Sequence, residues 1–122
     1  MPTPTIGSLL LGSVQPTETK QWYVRAFGAA ENAMGALEFG DVQLFIEAHS
    51  EITERAKEPA RCIINLTVSD CRALEGHLKD IEATFVRAVE QMTFGLIGTV
   101  ADPDGNYVQI IEWGATPDAG HD

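Results

Sequence analysis

Histidine, cysteine and basic residues are all scarce in this chain, and each scarcity removes a class of function. Eight Lys plus Arg stand against eighteen Asp plus Glu, a net charge of -10. That balance repels nucleic acid and anionic membrane faces, and a cationic partner would be favoured over an anionic one. Two cysteines, Cys62 and Cys71, have no CxxC pattern or companion histidine, so neither a disulfide framework nor a zinc site is specified. Both positions suit buried structural thiols, Cys62 in an apolar run and Cys71 at a helix start. Long hydrophobic runs are missing too. IGSLLLGSV, the longest near the start, is far short of the roughly 20 residues of a membrane span and follows no basic residue. A soluble, cytoplasmic protein is expected, with no nucleic acid and no membrane as partner.

At 122 residues, 44% hydrophobic and 21% charged, the composition is that of one self-sufficient domain. Ile6 to Val14 predicts a strand. QPTETK follows, where Thr17 or Thr19 can cap a helix that carries Trp22, Tyr23, Ala26 and Phe27 and stops at Gly28. Ala29 to Met34 is weakly patterned, whereas ALEF and VQLFIE are apolar runs split by a Gly40-Asp41 turn. The stretch from His49 to Arg61 is polar and contains Pro59, as a linker with at most one helical turn would be.

Beyond it the order repeats. CIINLTVSD is a β-branched strand, Asp70 caps a helix to about Asp80, and ATFVRAV, LIGTVA and NYVQIIEW supply three more strands. The last two are joined by Asp102-Pro103-Asp104-Gly105, in which Pro presets a turn dihedral, Asp bonds back to the backbone and Gly accepts positive φ. Ser8 and Ile63 open the matching strands, an offset of 55 residues. The modules are therefore placed at about 5–48 and 62–113, separated by a 49–61 linker within one domain, 1–113. A flexible tail, 114–122, follows, and no specific role is expected for its His121.

Two βαβββ units, the WY pair of the first helix, the VSD strand-to-helix junction and the DPDGN turn before an apolar strand together resemble the vicinal-oxygen-chelate superfamily of glyoxalases, bleomycin-resistance proteins and dioxygenases. The likeness covers about residues 5–113, and DPDGNYVQIIEW is its most specific part. It implies an α+β fold in which two βαβββ modules form an open eight-stranded cup with helices on the outer face. It also implies a ligand held in the cup and a homodimer. In metal-using members four cup-facing positions, typically His, Gln or Glu, hold a divalent ion. Alignment by the shared motifs puts Ser8, Phe45, Ile63 and Gln109 there. Only Gln109 is a plausible ligand: Phe and Ile have no lone pair, and a Ser hydroxyl is a poor donor to such ions. A slip of two residues keeps a strand's facing and would bring Glu47 to the Phe45 position.

Since residues two apart share a face, the same register predicts the cup lining: Ser8, Leu10, Gly12, Phe45, Glu47, Ile63, Asn65, Thr67, Tyr107, Gln109 and Ile111. Leu9, Leu44, Ile46, Ile64, Leu66, Val108 and Ile110 would pack under the helices. Apolar walls with few directional polar groups suit a small organic molecule, although side chains that merely fill a core would look the same. Glu47 among apolar neighbours is the one carboxylate placed to act as acid or base, with His49 two residues on as its helper. Both are weak catalytic candidates. Glu112 and the Arg55, Lys57, Arg61 group read as solvated surface, able to pair across a dimer. Trp22 and Trp113 suit core or interface duty.

The expectation is a small-molecule-binding protein of the glyoxalase/bleomycin-resistance type without metal or other cofactor. The alternative is a metal-dependent lyase, isomerase or dioxygenase of the same superfamily. The sequence pattern is compatible with either.

Overall fold

The computed structural model describes residues 1–114; the expected tail beyond Gly114, His121 included, lies outside the described residues. The chain divides into two compact units between Arg55 and Ala56. Each is a βαβββ module with its own four-stranded mixed sheet.

The first unit runs β1 (Ser8–Gly12), α1 (Pro16–Phe27), β2 (Ala30–Glu31), β3 (Leu37–Phe39), β4 (Val42–Glu47). Its strand order is β1-β4-β3-β2, with β1 parallel to β4 and the other pairs antiparallel. The parallel pair requires a crossover, and α1 begins it. The helix starts earlier than either threonine predicts. Gln15 is its N-cap, with no capping bond from its own side chain, and Pro16 sits where a missing N–H costs nothing. Ser13 Oγ takes the backbone N–H of Gln15 at 3.0 Å and donates to Thr19 Oγ1 at 3.3 Å. Thr19 is thus a buried tether inside the helix, not its cap. Gly28 ends the helix at φ 69, in the left-handed region, and its N–H reaches the Val24 carbonyl at 2.8 Å.

Trp22, Tyr23 and Ala26 of α1 are buried with Leu37, Leu44 and Ile46 of the sheet. Trp22 meets Tyr23 edge-on at 4.9 Å, and Phe27 meets Phe39 at 6.4 Å. Alternation along β4 then assigns Leu44 and Ile46 to the helix side and Phe45 to the other.

The second unit opens with a 3-10 turn, Pro59–Arg61, followed by β5 (Ile64–Thr67), α2 (Cys71–Asp80), β6 (Thr84–Met92), β7 (Gly95–Ala101) and β8 (Tyr107–Trp113). The order β5-β8-β7-β6 reproduces the first sheet, again with one parallel pair, β5 with β8. The duplication is therefore topological, although Ile63 stands one residue before β5 and does not open it. Asp70 caps α2 as expected, its carboxylate accepting the Ala73 N–H at 3.0 Å. Leu78, Val100, Val108 and Ile110 are fully buried.

The DPDGN turn is closed by its own side chains. The Asp102 carboxylate accepts the N–H groups of Asp104 and Asn106 and the Asn106 side-chain amide, each at 2.9 Å. Gly105 adopts φ 87, and its N–H closes the turn on the Asp102 carbonyl at 2.9 Å.

Two surface expectations are corrected. Glu112 is not simply solvated: its Oε1 accepts the Cys71 N–H at 2.8 Å, supplying an acceptor and a negative charge at the start of α2. Burial, reinforced by that carboxylate, pushes the Cys71 thiol up to about 11. Cys62, expected to be buried, is exposed because it precedes β5 on the end of the 3-10 turn.

Candidate functional site

Each sheet has one face under its helix and one face free of it, and strand register assigns every residue to one or the other. In the first unit Ser8 pairs with Gln43, Leu10 with Phe45 and Gly12 with Glu47, so these six share the helix-free face. Leu10 is 56% exposed beside a half-buried Phe45, an apolar patch at the β1 edge. Leu9 falls on the helix side yet stays 37% exposed, because β1 is an edge strand.

Glu47 ends β4 and is exposed, paired in register with Gly12. His49 is exposed, and its Nδ1 accepts the Glu51 N–H at 3.1 Å, occupying one of its two ring nitrogens in a local turn. Ile52 of that turn folds back on Gly12, where an added Cβ would come within 2.6 Å of Ile52 Cγ1.

The helix-free face of the second unit is richer. Asn65 pairs with Gln109, Gln109 with Thr99, and Thr99 with Arg87, so one polar side chain from each of the four strands stands in a single cross-strand row. The next row runs Thr67, Ile111, Ile97, Glu90. Ile111 is 5% and Ile97 6% exposed, giving the face an apolar centre. On the other side of the polar row stand Tyr107, Ala101 and Thr84, and continuing the register brings Ile63 beside Tyr107. At the far end Trp113 packs on Phe94 at 5.2 Å and its indole N–H donates to Thr67 Oγ1 at 3.3 Å.

Arg87 is presented by an irregular strand. Register shifts fall on both sides of it, between Phe85 and Arg87 and between Arg87 and Glu90, and such bulges re-aim a side chain. The irregularity is pinned by α2: Arg72 donates to the Val89 carbonyl at 3.2 Å, while the Val89 N–H donates to Glu75 at 3.3 Å. On the free face Arg87 Nε donates to Glu90 at 2.8 Å and Nη2 approaches Met92 Sδ at 3.5 Å. The hydrogen bond from Arg87 holds the Glu90 carboxyl below its ordinary value.

Of the residues expected to line a ligand site, the structure brings Ser8, Leu10, Gly12, Phe45 and Glu47 to one face of the first sheet. Asn65, Thr67, Tyr107, Gln109 and Ile111, with Ile63 just before β5, share one face of the second. Thr99, Ile97, Arg87 and Glu90 escaped the sequence reading. Counting back through the Asp102–Gly105 turn would have found Thr99 and Ile97 opposite Gln109 and Ile111. No count by twos would have placed Arg87, because the bulges break the alternation.

As metal ligands the four aligned positions fit poorly. Phe45 and Ile63 offer no lone pair, and Glu47, two residues along, faces Gly12 at the exposed end of its strand. No group of three or more His, Cys, Asp or Glu side chains suited to a metal ion occurs among the described residues. A recess of about 280 Å³ lies elsewhere, lined by Pro16, Thr17, Lys20 and Gln21 of α1 with Glu31 and Ile46. Its ammonium is already paired, Lys20 to Glu31 at 3.2 Å. No helix among the described residues is long and apolar enough to cross a membrane.

No known family profile matches the sequence, and no curated protein matches it. Solved structures do. A glyoxalase-related enzyme from Fulvimarina pelagi superposes with a TM-score of 0.72 at 19% identity, over 90% of this chain and 88% of its own. TnmS3, an antibiotic binding protein from Streptomyces sp. CB03234, gives 0.69 at 16% identity, over 93% and 99%. The lactoylglutathione lyase of Agrobacterium tumefaciens gives 0.68 at 14% identity, over 93% and 99%. The chain shares the α+β fold of these structures, two βαβββ modules in tandem. Binders and enzymes share that fold, so function rests on the residues of the site.

Proposed function

We propose that the protein binds a small organic molecule, in the manner of the antibiotic-binding and bleomycin-resistance-type proteins of this fold, and does so without a catalytic metal. The observation that carries this reading is the helix-free face of the second sheet: a near-buried apolar centre, Ile97 and Ile111, beside a row of directional polar groups. That is the composition of a ligand site rather than of a solvated sheet face. The apolar patch of Leu10 and Phe45, with Ser8 and Glu47 beside it, adds a second ligand-facing surface within the first unit. Two of the four metal positions hold hydrocarbon side chains, which supports binding over a lyase, isomerase or dioxygenase reaction.

The reading extends to a homodimer in the cytoplasm. Support for the dimer comes from β1, an edge strand with Leu9 and Leu10 exposed, a surface that a second copy would cover. Light scattering after size exclusion should give twice the mass of the 122-residue chain.

The decisive experiment joins elemental analysis of protein purified without chelator to a melting-temperature screen of drug-sized aromatic molecules. The expected result is no stoichiometric metal and stabilisation by a subset of compounds, about 2.7 kcal/mol for a ligand at 100 times its Kd. Stoichiometric iron, zinc, nickel or manganese, or a screen in which no compound binds, would overturn the reading.

A further inference from the structure

From the polar row of the second sheet we infer the ligand's chemistry: an uncharged, elongated, planar molecule whose carbonyl oxygen is received by Arg87. This deepens the binding proposal above and rests on it.

The row is continuous through the sheet. Asn65, Gln109, Thr99 and Arg87 are successive cross-strand neighbours on β5, β8, β7 and β6. With strands about 4.8 Å apart, the row spans roughly 14 Å, the length of a molecule of two or three fused rings. None of the hydrogen bonds among the described residues engages the side chains of Asn65, Thr99 or Gln109, although Thr99 is only 4% exposed. No buried side-chain oxygen or nitrogen among the described residues lacks a partner, so the unbonded Thr99 hydroxyl, like the amides of Asn65 and Gln109, is open to an incoming group. Ile97 and Ile111, 6% and 5% exposed, run alongside and flank the row with hydrocarbon.

Charge selects among ligands. Arg87 is a donor only, and with Nε given to Glu90 and one Nη2 bond directed to Met92 it retains N–H groups for an acceptor. A cation would meet a guanidinium whose neighbouring carboxylate is already taken. A carboxylate ligand would stand beside Glu90 on a protein of net charge -10. An uncharged carbonyl, in a conjugated ketone or amide, accepts from Arg87 without either penalty. The bulges around Arg87, held from the helix side by Arg72 and Glu75, fix that end of the row before a ligand arrives.

The test uses three probes of similar shape on the full chain: chromone, chromone-2-carboxylate and N-methylquinolinium. Binding is followed by the side-chain N–H resonances of Arg87, Asn65 and Gln109 in nitrogen-15 correlation spectra. Chromone should shift all three sets and bind at least threefold tighter than either charged probe. Arg87→Met should weaken chromone tenfold or more and Thr99→Val about threefold, with the dispersed spectrum confirming that both variants fold. Tighter binding of the acid or the quinolinium would overturn the inference, as would an unchanged affinity in Arg87→Met or no binding of chromone. If the wider screen still yields acidic or cationic ligands, the binding proposal survives and only the ligand class fails; if it yields nothing, both fall.

Discussion

The two modules share one topology and diverge in what they put on it. Beneath its sheet the first has an aromatic core, Trp22, Tyr23 and Phe27, and on the free face hydrocarbon at Leu10 and Phe45. In the second the core is aliphatic, Leu78, Val100, Val108 and Ile110, and the free face has an ordered polar row. Strand length differs as well: β2 has two residues and β6 nine. A two-residue strand adds little surface, whereas β6 is long enough to include the bulges that present Arg87. Duplication thus fixes the scaffold twice, and chemistry accumulates where the copied hairpin has lengthened.

The sharpest way to break this comparison is through one hairpin glycine from each module. Gly95 opens β7 at φ 145, and a Cβ there would run into the Glu112 carbonyl of β8. Gly40 turns β3 into β4 at φ 61 with open space around it. Gly95→Ala should cost more than about 3 kcal/mol, combining backbone strain with a clash that only a shifted strand relieves. Gly40→Ala should cost about 1 kcal/mol, the left-handed penalty alone. Urea denaturation of the two variants checks the order, and equal losses would mean that the hairpins are equally constrained. Between them falls Asp102→Ala, which strips three hydrogen bonds from a nearly buried turn and should cost about 2–3 kcal/mol.

What was legible in the sequence follows the same divide. Strongly periodic or chemically punctuated segments, such as the α1 face, the Asp70 cap and the DPDGN turn, were readable because one local interaction decides each. Thr17 and Thr19 misled because Ser13, outside the helix, takes the Gln15 N–H and frees Thr19 for the interior. Glu112 misled because its partner, the Cys71 N–H, is 41 residues away and a parallel pairing brings them together. The candidate face was legible where alternation holds, on β1, β4, β5 and β8. It was lost on β6, where two bulges shift the count and Arg87, the residue of the proposed ligand contact, lies between them.

Glu112 and Cys71 also yield the smallest effect, one confined to alkaline pH. The thiol's ordinary value of 9.0 rises to about 11 in the folded chain, through burial first and the Glu112 charge second. A raised value means that the native state holds its proton after the unfolded chain has lost it. The stabilising contribution is therefore complete below pH 9 and is lost progressively as pH rises towards 11. Cys62 lies exposed at the surface. Iodoacetamide at pH 8 should accordingly label Cys62 in the native protein and leave Cys71 unmodified until denaturant is added, as peptide mass analysis would show. Glu112→Gln keeps an acceptor for the Cys71 N–H but removes the charge, so it should lower the alkaline edge of the stability profile by only a fraction of a pH unit. A shift as large as the whole rise would mean that charge, not burial, governs the thiol.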